Sequence, residues 1–315
     1  MTRRILGSSD LSVFPLCLGG NVFGWTASAV ESEAVLDAYV TGGGNFVDTA
    51  DAYSAWVDGN VGGESETIIG NWMTSRGNRA DVIVATKVAK LRTRSGLSPA
   101  NILVAADESL ARLGTDYIDL YYAHEDDEAV PLEEIVQAFD SLIRAGKVRA
   151  IGLSNFTPER VGAYVKVATA NGWALPVAVQ PHYNAVFRAE FESTMAQICV
   201  DHNMGVAPYF ALGSGLLTGK YASAADLAGA ARSGGAGMYA SDQAWWVVAL
   251  LREIAEAHDV SPATIALAWL RDRPAVTAPI TSARVVDQVP ALLRAAEFVL
   301  PDSDAQRLTE RSAGL

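Results

Sequence analysis

Four side chains carry the chemistry open to this sequence. Asp48 and Tyr53 stand in Asn45-Phe46-Val47-Asp48-Thr49-Ala50-Asp51-Ala52-Tyr53, Lys87 closes Ala85-Thr86-Lys87, and His124 closes Tyr121-Tyr122-Ala123-His124. Each follows a short apolar run that reads as a β-strand. A carboxylate, a phenol, an amine and an imidazole thus leave the ends of three consecutive strands. Neighbouring parallel strands lie about 4.8 Å apart, so the groups can converge over roughly 10 Å. Such a set suits proton donation to an oxygen that gains charge. A phenol with a pKa of about 10 is a poor acid at neutral pH. An ammonium beside it lowers that pKa, a carboxylate holds the ammonium, and an imidazole orients the acceptor oxygen. None of the four supplies reducing equivalents, so an organic cofactor must.

The elements that position these groups follow a rhythm. Strands are expected at 15–19, 44–48, 82–87, 117–123, 148–153, 177–181, 205–209 and 275–280, as near-continuous apolar runs. Helices are expected near 30–42, 64–75, 99–113, 132–146, 157–171, 189–203, 261–271 and 285–296. Ser98-Pro99, Thr157-Pro158 and Ser261-Pro262 mark helix starts, and Gly77, Gly114, Gly146 and Gly172 mark ends. Eight such units predict an α/β fold, a (β/α)8 TIM barrel spanning residues 1–315 as a single domain. Arg3–Val13 reads as an N-terminal β-hairpin around Gly7-Ser8-Ser9-Asp10. The rival, a doubly wound open sheet, lacks a Gly-x-Gly-x-x-Gly after the first strand. Two stretches, 54–63 and 213–242, break the rhythm as long loops of the C-terminal face.

Composition narrows the function classes. Half of the 315 residues are hydrophobic and 19% are charged, enough apolar material for a large core. A formal charge of −12 argues against a nucleic-acid partner. No stretch of about 18 uncharged apolar residues predicts a membrane span. Cys17 and Cys199 lie far apart, which fits a reduced, cytoplasmic setting. His124-Glu125-Asp126-Asp127-Glu128 resembles a metal cluster, yet adjacent loop residues cannot all face one ion, so no metal is expected. The oligomeric state has no signature here.

The ordered set resembles the aldo-keto reductases. Asp48-Thr49-Ala50-x-x-Tyr53, Lys87 and His124 look like that family's catalytic tetrad, and the likeness runs through Gly152-Leu153-Ser154-Asn155-Phe156, Val179-Gln180-Pro181-x-Tyr183-Asn184 and Gly213-x-Gly215-Leu216-Leu217-Thr218-Gly219-Lys220-Tyr221. The resemblance implies carbonyl reduction with NADPH, NADH being possible, with Tyr53 as general acid, Lys87 tuning it, Asp48 pairing with Lys87 and His124 orienting a small-molecule carbonyl substrate. It implies that Ser154, Asn155 and Gln180 hold the nicotinamide carboxamide and that Tyr209 stacks on the ring. Phe210, Leu212, Gly213, Ser214, Gly215, Leu216 and Lys220 would pass over the pyrophosphate. Ser282, Arg284 and Gln288 would meet the adenosine end, with Arg284 a partner for a 2′-phosphate.

Departures from the family pattern are specific. Ala291 and Leu292 stand where many members carry a Glu and an Asn that grip the adenine, which bears on NADP against NAD preference. Ser54 replaces the usual Gly after the tyrosine. Trp25 and Trp56 are candidate linings of the substrate pocket. Glu125, Asp126 and Asp127, if they face that pocket, would suit a hydroxyl-rich carbonyl. Two other functions fit a strand-end lysine in a barrel: a Schiff-base aldolase, and a cofactor-binding regulatory subunit with little turnover.

Overall fold

Period-two alternation decides which residues of this chain face the barrel interior, and the computed structural model, which describes residues 2–227 and 233–315, follows it. An antiparallel hairpin, β1 (Arg4–Ile5) and β2 (Ser12–Val13), precedes the barrel. The parallel strands are β3 (Cys17–Gly19), β4 (Phe46–Asp48), β5 (Ile83–Val88), β6 (Ile118–Ala123), β7 (Val148–Ser154), β8 (Pro176–Gln180), β9 (Gly205–Val206) and β10 (Ile280–Thr281). Their order is β10-β3-β4-β5-β6-β7-β8-β9, every pair parallel. The ring closes where Val206 bridges Val276, with Thr277 N donating to Val206 O at 2.8 Å and Ile280 N to Pro208 O at 2.9 Å. The expected strand 275–280 is therefore mostly a closing bridge, with the regular ladder confined to Ile280–Thr281.

Outside lie α1 (Ala29–Thr41), α2 (Glu64–Arg76), α3 (Pro99–Leu113), α4 (Leu132–Arg144), α5 (Pro158–Asn171) and α6 (Ala196–Asp201). They are followed by α7 (Ser233–Gly237), α8 (Asp242–Ala257), α9 (Pro262–Arg271), α10 (Val289–Glu297) and α11 (Asp302–Arg311). Ser98, Thr157 and Ser261 each accept from the backbone N–H three residues on, with Pro in the first turn. Four departures from the sequence pattern stand out. The helix expected over 189–203 contains a π turn at Phe191–Met195 ahead of α6. The one over 285–296 starts as a 3-10 turn, Val286–Gln288, before α10. The stretch 213–242 carries helical turns at Gly213–Thr218, Ala224–Leu227 and α7 in place of a plain loop, while its residues 228–232 lie outside the described residues. α11 was not expected at all; its strongly polar sequence hides the buried Leu308 that anchors it.

The barrel interior holds Cys17, Phe46, Ala85, Leu120, Tyr122, Ala150, Ala178, Ala207, Ala278 and Ile280, plugged below by Leu6, Leu11 and Val13 of the hairpin. Small residues dominate because Tyr122 and Phe46 fill the centre. A Cβ on Gly152 would sit 2.2 Å from the Tyr122 ring, so only glycine fits there. Counting two residues outward from the interior positions gives Asp48, Lys87, His124, Gly152 then Ser154, Gln180, Tyr209 and Ser282. The same pleat that packs the core therefore aims the chemistry-bearing side chains over its C-terminal rim.

Candidate active site

Register sets the first contact. Asp48 lies opposite Ala85, and Lys87, one pleat further along β5, reaches across to it. Lys87 is fully buried. Its ammonium has three protons and spends all three: on Asp48 Oδ2 at 2.6 Å, Thr49 O at 2.7 Å and the Tyr53 hydroxyl at 2.9 Å. The Tyr53 hydroxyl donates in turn to Asp48 Oδ2 at 3.1 Å. The other carboxylate oxygen accepts from Gln180 Nε2 at 2.8 Å. Amine, phenol and carboxylate thus form one closed set, with no ionised group left uncompensated.

Burial and neighbouring charges set the protonation states of the site. Burial holds the Lys87 ammonium below its ordinary pKa, against the opposing pull of Asp48. Burial first, and then the charge and hydrogen bond of Asp48, push the Tyr53 phenol well above 10. Tyr53 therefore keeps its proton at neutral pH. His124 packs edge-on to Tyr53 with ring centroids 6.0 Å apart. Burial and the charges of Lys87 and Lys90 hold it well below the usual histidine range, so its imidazole is neutral. Among the described residues its Nδ1 is buried without a partner.

On the far side of the barrel mouth, Ser154 Oγ donates to Gln180 O at 2.9 Å and Asn155 Nδ2 to His124 O at 2.7 Å. Tyr209 OH donates to Asn155 Oδ1 at 2.8 Å, and its ring is backed by His182, 5.3 Å away and nearly parallel. Asn155 has φ +56, as do Phe210 and Ser214 at +54, an unusual conformation for side-chain-bearing residues that the surrounding contacts must hold. Gly213 and Gly215 share it, at +54 and +100. Lys220 lies over that turn: a Cβ on Gly215 would come within 3.3 Å of its Nζ. Leu216 is buried in the core and Leu212 packs partly against it. Ser282 pairs with Asn21 Oδ1 at 2.5 Å, Arg284 is exposed, and its N–H donates to Gln288 Oε1 at 2.8 Å.

Leu292 is buried in the core and Ala291 O accepts from Thr264 Oγ1 at 3.3 Å. Leu292 is thus a packing residue facing away from the mouth. The acidic run after His124 is also spent elsewhere. Asp126 holds Arg160 through two bonds, 2.6 and 2.8 Å, and Asp127 accepts from Leu97 N at 2.8 Å. Glu125 pairs with Lys90 at 3.4 Å. The hydroxyl-rich substrate suggested by this run loses its support, because the carboxylates fold loops instead of lining a pocket.

Trp25 and Trp56, 45% and 49% exposed, meet edge-to-face at 5.6 Å, and Trp56 lies 6.2 Å from the Tyr53 ring. Ser54 ties their two loops together. It sits at φ +68, where glycine is usual, and its hydroxyl donates to Phe23 O at 2.7 Å. Asn60 Nδ2 reinforces this through Gly24 O and Ser54 O, both at 3.1 Å. A cavity of 260 Å³ opens beside Asn155, Pro181, Glu190 and Tyr209. A larger one, 470 Å³, lies at the opposite end between Tyr117 and Arg149, remote from these groups. Sequence reasoning missed Thr49 O as a ligand of Lys87 and the Gln180–Asp48 bond; neither has a sequence signal, since both depend on strand stagger.

The chain is similar to several known proteins. The protein tas of Escherichia coli (strain K12) is 33% identical over 89% of this chain and 89% of its own. The norsolorinic acid reductase of Emericella nidulans is 31% identical over 98% of this chain and 81% of its own. A putative voltage-gated potassium channel subunit beta of Schizosaccharomyces pombe is 33% identical over 94% and 88%. The model of the aldo/keto reductase family matches residues 15–313, nearly the whole barrel, and the chain belongs to that family.

Proposed function

We propose that the chain reduces an aldehyde or ketone to an alcohol with NADPH, and that Tyr53 is the general acid. The observation that carries this is the Tyr53 hydroxyl held between Lys87 Nζ and Asp48 Oδ2, protonated and at the barrel rim. A carbonyl oxygen that gains charge becomes a better acceptor than Asp48, and the phenolic proton turns to it. The phenolate left behind keeps the Lys87 ammonium at hydrogen-bond distance, and Asp48 and Thr49 O keep that ammonium in place. Neutral His124 donates from one ring nitrogen and fixes the oxygen beside Tyr53.

A nicotinamide dinucleotide fits the groups on the other half of the rim. When bound it supplies the two-electron reducing equivalent. Ser154, Asn155 and Gln180 would hold the carboxamide, the Tyr209 ring would lie on the nicotinamide, and Gly213–Gly215 with Lys220 would cradle the pyrophosphate; the left-handed backbone of this turn, at φ +100 on Gly215, and the Lys220 ammonium above it support this. Exposed Arg284 would take a 2′-phosphate, which favours NADPH over NADH. The exposed Trp25–Trp56 edge favours a substrate with a flat apolar face. Two buried free cysteines support a reducing, cytoplasmic setting. The test is NADPH oxidation by purified protein across a panel of aromatic and aliphatic carbonyls. The similarity to a channel-subunit relative favours one second reading, a cofactor-binding regulatory subunit. Tight NADPH binding with no turnover on any carbonyl would select it.

A further inference from the structure

Behind Lys87 lies a second, fully buried polar cluster that the proposed reaction leaves unused. Asp51 occupies its centre, three residues after Asp48 and two before Tyr53, and is fully buried. Its N–H donates to Lys87 O at 3.2 Å, which ties the two backbones together. Among the described residues neither carboxylate oxygen of Asp51 has a hydrogen-bond partner. An ionised carboxylate in that position is costly, so its state requires an account.

Its surroundings give one. Glu66 on α2, also buried, is already satisfied by Thr86 Oγ1 at 2.5 Å and by Arg112 Nε of α3 at 2.6 Å. It therefore presents a like charge to Asp51. Arg94, from the loop after β5, and Arg112 oppose this from further out. Tyr121 on β6 has a buried hydroxyl that is likewise unpartnered, and Asp51 is the foremost charge acting on it. The Asp51 charge also reaches Lys87.

We propose that Asp51 is a positioning residue whose buried, unpartnered carboxyl gains and loses a proton and so sets the charge that Lys87 feels and, through Lys87, the acidity of Tyr53. Burial and Glu66 push it up to about 7, consistent with the geometry. With Asp51 neutral, Asp48 alone compensates the Lys87 ammonium, and the phenol gives up its proton more readily. With Asp51 ionised, the phenol is a weaker acid. Carbonyl reduction should therefore slow by about threefold to tenfold as pH rises through this titration.

The inference rests on the reading of Tyr53 as general acid, so the experiment has two arms. Infrared titration of the intact protein carrying isotope-labelled aspartate should show one protonated aspartate that ionises near 7. Asp51→Asn should lack that signal. In steady-state kinetics, the step in kcat near the same pH should vanish in Asp51→Asn, which should hold the low-pH rate across it. Absence of such an aspartate in the wild type overturns the proposal whether or not a carbonyl is turned over. A kinetic step that persists in Asp51→Asn overturns it too. A titrating Asp51 in a chain that reduces no carbonyl supports the charge assignment and sinks the Tyr53 reading instead.

Discussion

Gln180 Nε2 donates to Asp48 Oδ1 at 2.8 Å, joining residues 132 positions apart. The bond couples the two halves of the rim. Asp48 belongs with the groups that would move a proton, and Gln180 with those that would hold the cofactor. Each carboxylate oxygen of Asp48 then has a defined task, one toward Lys87 and Tyr53, the other toward Gln180.

Gln180→Leu is expected to affect both halves. It removes the donor from Asp48 Oδ1 and a candidate carboxamide contact together. NADPH affinity, read by quenching of tryptophan fluorescence, should fall, and kcat should fall by about tenfold as the Asp48–Lys87 geometry loosens. A change in affinity with kcat untouched would show that the bond does not couple the halves.

Lys87→Met should abolish turnover and also destabilise the fold, because it strands a buried carboxylate. Removing one partner of a buried pair costs about 3–5 kcal/mol. Adding Asp48→Asn should recover much of that stability with no recovery of activity. Urea unfolding of the two variants separates the roles. If the double variant is no more stable than Lys87→Met, the pair is not the closed set described.

Asp51 makes a stability prediction with a definite sign. Its folded pKa, pushed up from 3.8 to about 7, lies above the unfolded value, so the folded chain holds an extra proton between them. Stability should fall as pH rises through that window, with the full penalty present above it, on the order of 4 kcal/mol at most. Asp51→Asn should remove this component, so the difference in thermal midpoint between variant and wild type should grow in the variant's favour toward alkaline pH. A difference that does not change with pH contradicts it.

Trp25→Ala and Trp56→Ala should raise KM for flat aromatic carbonyls more than for small aliphatic ones, by about tenfold each. Their loops are tied through Ser54 and Asn60, so each substitution should act through the lost ring surface. Equal effects on both substrate classes would remove these residues from the pocket.

The fold was legible because its signals are local. Apolar runs, serine or threonine caps followed by proline, and glycine stops each act within a few residues, as at Ser98, Thr157 and Gly114. Asp48, Lys87 and His124 were legible as strand-end residues, each two positions beyond an interior residue, whereas Tyr53 stands in the turn after β4. What escaped depends on distant contacts. α11 packs on α8 by way of a sparse apolar face that its polar composition hides. The upward shift of Tyr53 was not legible either, because it comes first from burial, which no spacing reveals. The core role of Leu292 likewise depends on packing that its position in the sequence does not show.

The central claim is that the Tyr53 hydroxyl delivers a proton to a carbonyl oxygen. Tyr53→Phe keeps the ring packed on Trp56 and His124 and removes only the oxygen. NADPH binding and steady-state carbonyl reduction, measured side by side on wild type and variant, test the claim directly. Unchanged NADPH affinity and a loss of kcat of about a hundredfold or more are expected. A variant that reduces carbonyls at the wild-type rate would contradict it.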